Sequence, residues 1–174
     1  MGEPTCAADL CVNCGLCCTD AMFGYLEIDD DDRARLVAGG YPADQLAEGR
    51  MPLPCPLLEG TRCTIYGRRP AGCGTYRCEV LKAAEAGAIT VAQAWRKVLE
   101  ARRLLARLRG GLPPGVTVAQ SHARWNPRFG AAATADAQGS EARLAYFAYA
   151  FYIDRHFRSA RKRVLAIDSA RPRD

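Results

Sequence analysis

Two stretches of the chain carry a clean helical period. From Val91, the apolar residues Val91, Ala94, Val98, Ala101, Leu105 and Leu108 recur at alternating steps of three and four, the spacing that gathers side chains on one face of a helix. Thr90 precedes Gln93 by three positions, as in a capping box, and Gly110-Gly111 with Pro113-Pro114 supplies a stop. A second stripe runs through Tyr146, Ala150, Ile153, Phe157, Ala160, Val164 and Ile167 behind a cap at Ser140, broadened early by Leu144, Phe147 and Phe151. Each stripe is a narrow seam that needs a partner surface. The two helices are therefore predicted to pack on each other, with Trp95 and the aromatic start of the second helix covering what lies N-terminal to them. On this reading Phe151 is a core ring.

Before Val91 the periodicity fails. Residues 6–19 are too rich in Cys and Gly for a regular element and read as a loop. Tyr25-Leu26-Glu27-Ile28 alternates like a short strand, and the Asp run at 29–32 supplies an N-cap and first-turn carboxylates for a helix over 33–38, ended by Gly39-Gly40. Calcium does not explain that run, because an EF-hand loop needs spaced oxygens, a central Gly and a terminal Glu. Prolines make 42–56 a loop with one helical turn near 44–48, and His122, Trp125 and Pro127 fall in another loop. The expected fold is mainly α. A small, irregular, metal-stapled region at 1–80 packs as one domain with a helical region at 81–174.

Composition sharpens one point only. A 174-residue chain with 49% hydrophobic and 25% charged residues has the makings of a globular core, but nine cysteines are far above ordinary usage. All nine lie in the first 78 residues. The net charge of +5 hides an asymmetry: residues 1–81 hold seven Lys/Arg against twelve Asp/Glu, and 82–174 hold seventeen against seven. The start, Met-Gly-Glu-Pro-Thr-Cys, has neither the basic nor the apolar part of a secretion signal, and no stretch approaches a membrane span. A cytoplasmic protein is expected, and in a reducing compartment clustered cysteines serve metals or redox chemistry before disulfides.

Cys11-Val-Asn-Cys14-Gly-Leu-Cys17-Cys18 is the densest chemistry in the chain. Three thiols at successive spacings of three can wrap one centre, as in ferredoxin loops that fill three corners of a [4Fe–4S] cluster and take the fourth ligand from elsewhere. Zinc also uses Cys-x-x-Cys knuckles. Cys55, Cys63, Cys73 and Cys78 form a looser second group, so the eight match two four-thiolate centres or one larger cluster. Adjacent Cys17 and Cys18 are awkward on one metal atom and easier to place if one bridges or each serves a different centre. Cys6 falls outside both groups. The competing explanation, free buried cysteines acting as small hydrophobes, fits any one of them better than all eight. Tyr66 and Arg69 are candidates to flank the thiolates, since a guanidinium offsets their charge. His122 and His156 stand apart from other ligands in sequence and read as structural.

Cys11 to Cys18, the Asp-containing helix start near Asp30 to Leu36, Cys55-Pro-Leu-Leu, Cys63-Thr-Ile-Tyr66, and Arg69-Pro70-Ala-Gly-Cys73 leading to Cys78 occur here in one order. In that order they resemble the YkgJ-type cysteine-cluster family of zinc- or iron-chelating CxxCxxCC domains, over about residues 11 to 80. The family's usual Cys-Arg-x-aromatic-Pro-Cys ending is here Cys73-Gly-Thr-Tyr-Arg-Cys78. A flagellin lysine methylase carries a similar pattern with an iron–sulfur cluster, so the resemblance admits protein-modifying chemistry.

Three functions follow, in this order: an iron–sulfur protein of the [4Fe–4S] type in redox or protein-modifying chemistry, with zinc as a possible second metal; a zinc protein whose basic helices bind a macromolecular partner; and a labile metal chelator or sensor. A protein partner is expected. Nucleic acid is not, because the basic run Arg155, Arg158, Arg161, Lys162 and Arg163 has no interleaved stacking aromatics and reads as a solvated face.

Overall fold

A computed structural model of the chain describes residues 3–46, 49–125 and 137–165, without the side chains of 137–139. The fold is mainly helical, and the two periodic stripes are its centre. α5 (Val91–Gly111) begins at Thr90, whose hydroxyl accepts the Gln93 N–H while the Gln93 side chain accepts the Thr90 N–H. Its stripe is buried from Ala94 to Leu108, joined by Trp95 and Leu104. α7 (Ala137–His156) packs along it, burying Tyr146, Tyr149, Ala150 and Ile153.

α7 departs from its predicted shape at both ends. It begins at Ala137 and not at Ser140, and it stops at His156, so the stripe from Phe157 to Val164 leaves the α-helix and keeps only a 3-10 turn at Ala160–Lys162; Ile167 lies outside the described residues. The stop has an electrostatic cause. The buried Asp154 carboxylate accepts the N–H groups of Val164 and Leu165 at 2.8 and 2.6 Å and an Arg158 N–H at 2.9 Å, folding the chain back on the helix end. Arg158 is therefore buried and does not belong to a solvated face.

Of the broadening residues Phe147 packs against the main core, while the other two turn outward. Leu144 is 69% and Phe151 61% exposed, which corrects the reading of Phe151 as a core ring. Phe151→Ala should change unfolding free energy by less than about 0.5 kcal/mol, as surface substitutions do. A loss above 2 kcal/mol in urea unfolding would contradict the outward placement.

Two helices replace stretches read as loop. α6 (Val118–Trp125) replaces a predicted loop and buries Val118, Ser121 and Trp125; Pro127 lies outside the described residues. α1 (Ala7–Cys14) occupies most of the supposed cysteine loop, because Leu10 finds the main core and Gly15, at φ +70°, lets the chain leave the helix. Elsewhere β1 (Tyr25–Glu27) is the expected strand, and α2 (Asp30–Ala38) is capped by Asp29 accepting the Asp32 N–H at 2.7 Å. β2 (Arg50–Pro52) pairs antiparallel with β1 inside the stretch read as loop, after a 3-10 turn at Ala43–Gln45. β3 (Leu58–Glu59) and β4 (Arg62–Cys63) make a small hairpin and the second two-stranded sheet, followed by α3 (Ala71–Thr75) and α4 (Glu79–Glu85).

The main core draws on both ends of the chain: Leu10, Leu16, Ala21 and Met22 join α4, α5, α6 and α7. Tyr149 Oη donates to the Ala21 carbonyl at 2.9 Å and Arg158 to the Met22 carbonyl at 3.1 Å. Asp20 is buried and accepts from Arg109 at 2.8 Å and from the Val118 N–H at 2.6 Å, joining the end of α5 to the start of α6. A second, smaller core contains Leu36, Tyr41, Leu46, Met51, Leu57 and Ile65. Among the described residues no helix is long and apolar enough to cross a membrane.

His122 sits beside this network, its Nδ1 3.1 Å from Tyr146 Oη and its buried Nε2 without a hydrogen-bond partner among the described residues. Burial, and then the Arg158 cation, lower its pKa from 6.5 to about 4. The fold keeps the imidazole neutral while the unfolded chain protonates it, so this stability is complete above pH 6.5 and is lost as pH falls toward 4. The contribution is at most about 3 kcal/mol. Urea unfolding of His122→Phe should show a shallower loss between pH 6.5 and 4 than the parent, and equal slopes would refute the assignment.

Candidate metal centre

The eight cysteines all line one cavity of about 1040 Å³, although they come from six segments. Cys11 and Cys14 are one turn apart on α1. The left-handed Gly15 then turns the chain so that Cys17 and Cys18 follow in a tight turn, with the Cys18 N–H donating to the Gly15 carbonyl at 3.1 Å. Glycine is required at 15 twice over, by its φ and because a Cβ there would stand 3.1 Å from Thr61 Cα in the β3–β4 turn. Cys78 caps α4, and its sulfur accepts the Leu81 N–H at 3.4 Å. The Glu79 N–H bonds the Phe157 carbonyl at 3.1 Å, which pins that cap to the end of α7.

Cys55 precedes β3, Cys63 ends β4 and Cys73 rides on α3. Asp32 explains why α3 sits where it does. Its buried carboxylate accepts the Ala71 N–H at 3.1 Å and an Arg35 N–H at 2.8 Å, so the acidic start of α2 anchors the helix that carries Cys73. Gly72 lets α3 approach β1, since a Cβ there would meet Leu26 Cδ1 at 2.8 Å.

The sulfurs sort into two neighbourhoods. Cys11, Cys14, Cys17 and Cys78 pack against the main core, whereas Cys55, Cys63 and Cys73 pack against the small one. Charge effects follow the same division. The Cys17 thiol is pushed up by burial first and then by Cys14, Cys78 and Cys11; Cys18 is pushed up to about 12 by burial and then by Cys73, Cys63 and Cys55. Burial likewise raises Cys14 to about 12 and Cys73 to about 11, and it raises Cys55 and Cys78. Held this way the thiols are protonated at neutral pH, so a cation entering the cavity must displace protons, and its binding strengthens as pH rises.

The donor set suits such a cation. The Leu81 N–H already donates to the Cys78 sulfur at 3.4 Å, and the backbone N–H groups of Leu16, Leu57 and Val80 act to lower the Cys14, Cys55 and Cys78 thiols against the effect of burial. Hydrogen bonds of this kind stabilise thiolates and tune the metal they hold. Arg102 lowers Cys14 and Arg69 lowers Cys73, placing positive charge beside each group. Arg69 also stacks on Tyr66 at 3.8 Å, and both line the cavity. Where the family pattern has Arg after the Arg-Pro step, Gly74 leaves room for Arg69, whose Nε lies 3.7 Å from the position of a Cβ at 74. Arg77, in place of Pro, donates to the carbonyls of Gly74 and Tyr76 and closes the same turn.

Among the described residues no three His, Cys, Asp or Glu side chains already enclose a point as a bound ion needs. The cysteines are gathered but not drawn together. Rotation about χ1 moves a sulfur without moving its backbone. Cys6 is exposed and outside the cavity; both histidines also lie outside it, and His156 Nδ1 lies 3.3 Å from Lys97 Nζ. Sequence reasoning missed Tyr76, which lines the cavity between Phe23 and Lys162: its ring meets Phe23 edge-on at 5.0 Å, and Lys162 Nζ lies 5.3 Å above it. Burial, then Cys17 and Cys78, push its hydroxyl above its ordinary value.

Comparison with curated proteins gave no match, and comparison with solved structures gave none. Comparison with family models gave one, over residues 10–94, a stretch that contains all eight gathered cysteines. With its ordered cysteines, its Asp-anchored α3 and its thiol-lined cavity, that stretch of the chain matches the model of the CxxCxxCC family, described as a "putative zinc- or iron-chelating domain".

Proposed function

We propose that the chain is an iron–sulfur protein whose cluster is held by Cys11, Cys14, Cys17 and Cys78. The observation that carries this is the meeting of Cys78 with the Cys-x-x-Cys-x-x-Cys run in one neighbourhood of the cavity, against the main core. Three thiolates from one loop and a fourth from a distant segment are the ligand supply of a [4Fe–4S] cluster. When bound, such a cluster accepts and donates single electrons. The chain's own residues fix its setting: Phe23, Val98 and Phe157 form part of the cavity wall, the Leu16 and Val80 N–H groups favour the thiolates, and Arg102 offsets their charge. Exclusion of water matters because exposure shifts a cluster's potential and admits oxidants.

One-electron traffic calls for a donor and an acceptor, so a protein partner or protein substrate belongs to this reading. Protein purified anaerobically should be brown, absorb broadly near 400 nm, and release iron and acid-labile sulfide in equal amounts. Colourless protein with zinc alone would overturn the proposal, since zinc is d¹⁰ and has no such bands.

A further inference from the structure

The motif name invites a single centre built from its four cysteines, and the structure divides them. Cys18 leaves the other three. Its carbonyl accepts the Cys55 N–H at 2.8 Å, which ties it to the cysteines whose side chains pack against the small core, Cys55, Cys63 and Cys73, while Cys11, Cys14, Cys17 and Cys78 pack against the main one. We infer that Cys18, Cys55, Cys63 and Cys73 form a second, separate metal site, a closed tetrahedral four-thiolate site of the zinc type, so that the adjacent Cys17 and Cys18 serve different centres.

Four observations favour a single structural ion here. The ligands arrive from four segments: the turn after α1, the approach to β3, the end of β4, and α3. One ion would therefore cross-link most of residues 18–73. The small core beside them has six buried residues among those described, and its two sheets have two strands each of two or three residues, too little to stand alone. Structural zinc makes up for such a deficit outright, and its sites are closed, with four protein ligands and no open position. Finally, the buried Asp32 carboxylate that anchors α3 is occupied by Ala71 and Arg35, while Arg69 lines the cavity and supplies the positive charge that a four-thiolate zinc site leaves unbalanced.

This inference goes beyond the iron–sulfur reading and does not depend on it. The test is metal and sulfide analysis of protein purified anaerobically from cells supplied with both metals, with zinc-edge X-ray absorption on the parent. About one zinc per chain in a shell of four sulfurs at about 2.3 Å is expected, beside about four irons and four sulfides. Cys63→Ser and Cys18→Ser should lose the zinc and keep the iron, and Cys78→Ser should do the reverse. About two zincs in all-sulfur shells without iron would support this site and overturn the iron–sulfur reading. Zinc-free parent protein, a zinc shell containing nitrogen or oxygen, or parallel loss of iron and zinc in Cys63→Ser would overturn the second site. The parent measurements decide the matter even if the variants fail to fold.

Discussion

Stripping metal from the chain should release residues 24–75 to hydrogen exchange and protease while α5 and α7 stay protected. The two cores set this boundary. Residues 10–22 are tied into the main core through Leu10, Leu16, Ala21 and Met22 and by the bonds from Tyr149 and Arg158, so much of that segment survives on packing. Residues 24–75 have the small core, α2, two short two-stranded sheets and the thiols of the second group. Structural zinc supplies about 10–16 kcal/mol in zinc-finger peptides, more than such a core can replace. The effect should therefore be local unfolding and not a mild softening. Unchanged exchange protection over 24–75 after chelation, with metal loss confirmed, would show that the small core holds itself.

Arg158→Ala is expected to cost about 3–5 kcal/mol, the range for breaking a buried ion pair by removing one partner. Arg158 and Asp154 are 5% and 7% exposed at their side chains, 2.9 Å apart, so the remaining carboxylate has no water to turn to. Loss of the bond to the Met22 carbonyl adds a consequence for the site, because that carbonyl lies four residues beyond Cys18 and next to Phe23 on the cavity wall. Urea unfolding measures the cost, and a change below 1 kcal/mol would place Arg158 in water.

The comparison of α5 with α6 shows what the sequence could tell. α5 was legible because a capping box and six periodic residues agree, and agreement between local and long-range signals is what a stable helix needs. α6 carries the same signature: Thr117 and Gln120 exchange the two capping bonds, and Val118, Ser121 and Trp125 form its buried face. That face is too short for periodicity to register, and the cap alone was the available signal. α1 was hidden for another reason. Cysteine-rich composition reads as loop, whereas a single buried leucine and a left-handed glycine shape the helix and its exit.

Other features had no local signature. β2 exists only as the partner of β1, and the end of α7 is dictated by Asp154 reaching residues ten and eleven positions on, where periodicity alone continued the helix. Phe151 was misplaced because aromatic density in 146–152 exceeds what one face can bury: Tyr146 and Tyr149 take the inside and Phe151 is left out. Spacing brought all eight cysteines into view but could not divide them. The division depends on which loops stack, and Thr61 against Gly15 and Asp32 beneath Ala71 are contacts across 46 and 39 residues.

The claim that Cys78 completes the Cys11, Cys14 and Cys17 centre is tested most directly by iron and acid-labile sulfide content of Cys78→Ser, with Cys6→Ser purified alongside. Cys78→Ser should lose most of its iron and sulfide together, and Cys6→Ser should match the parent, since Cys6 is exposed and outside the cavity. Iron and sulfide undiminished in Cys78→Ser, or lost equally in Cys6→Ser, would contradict it.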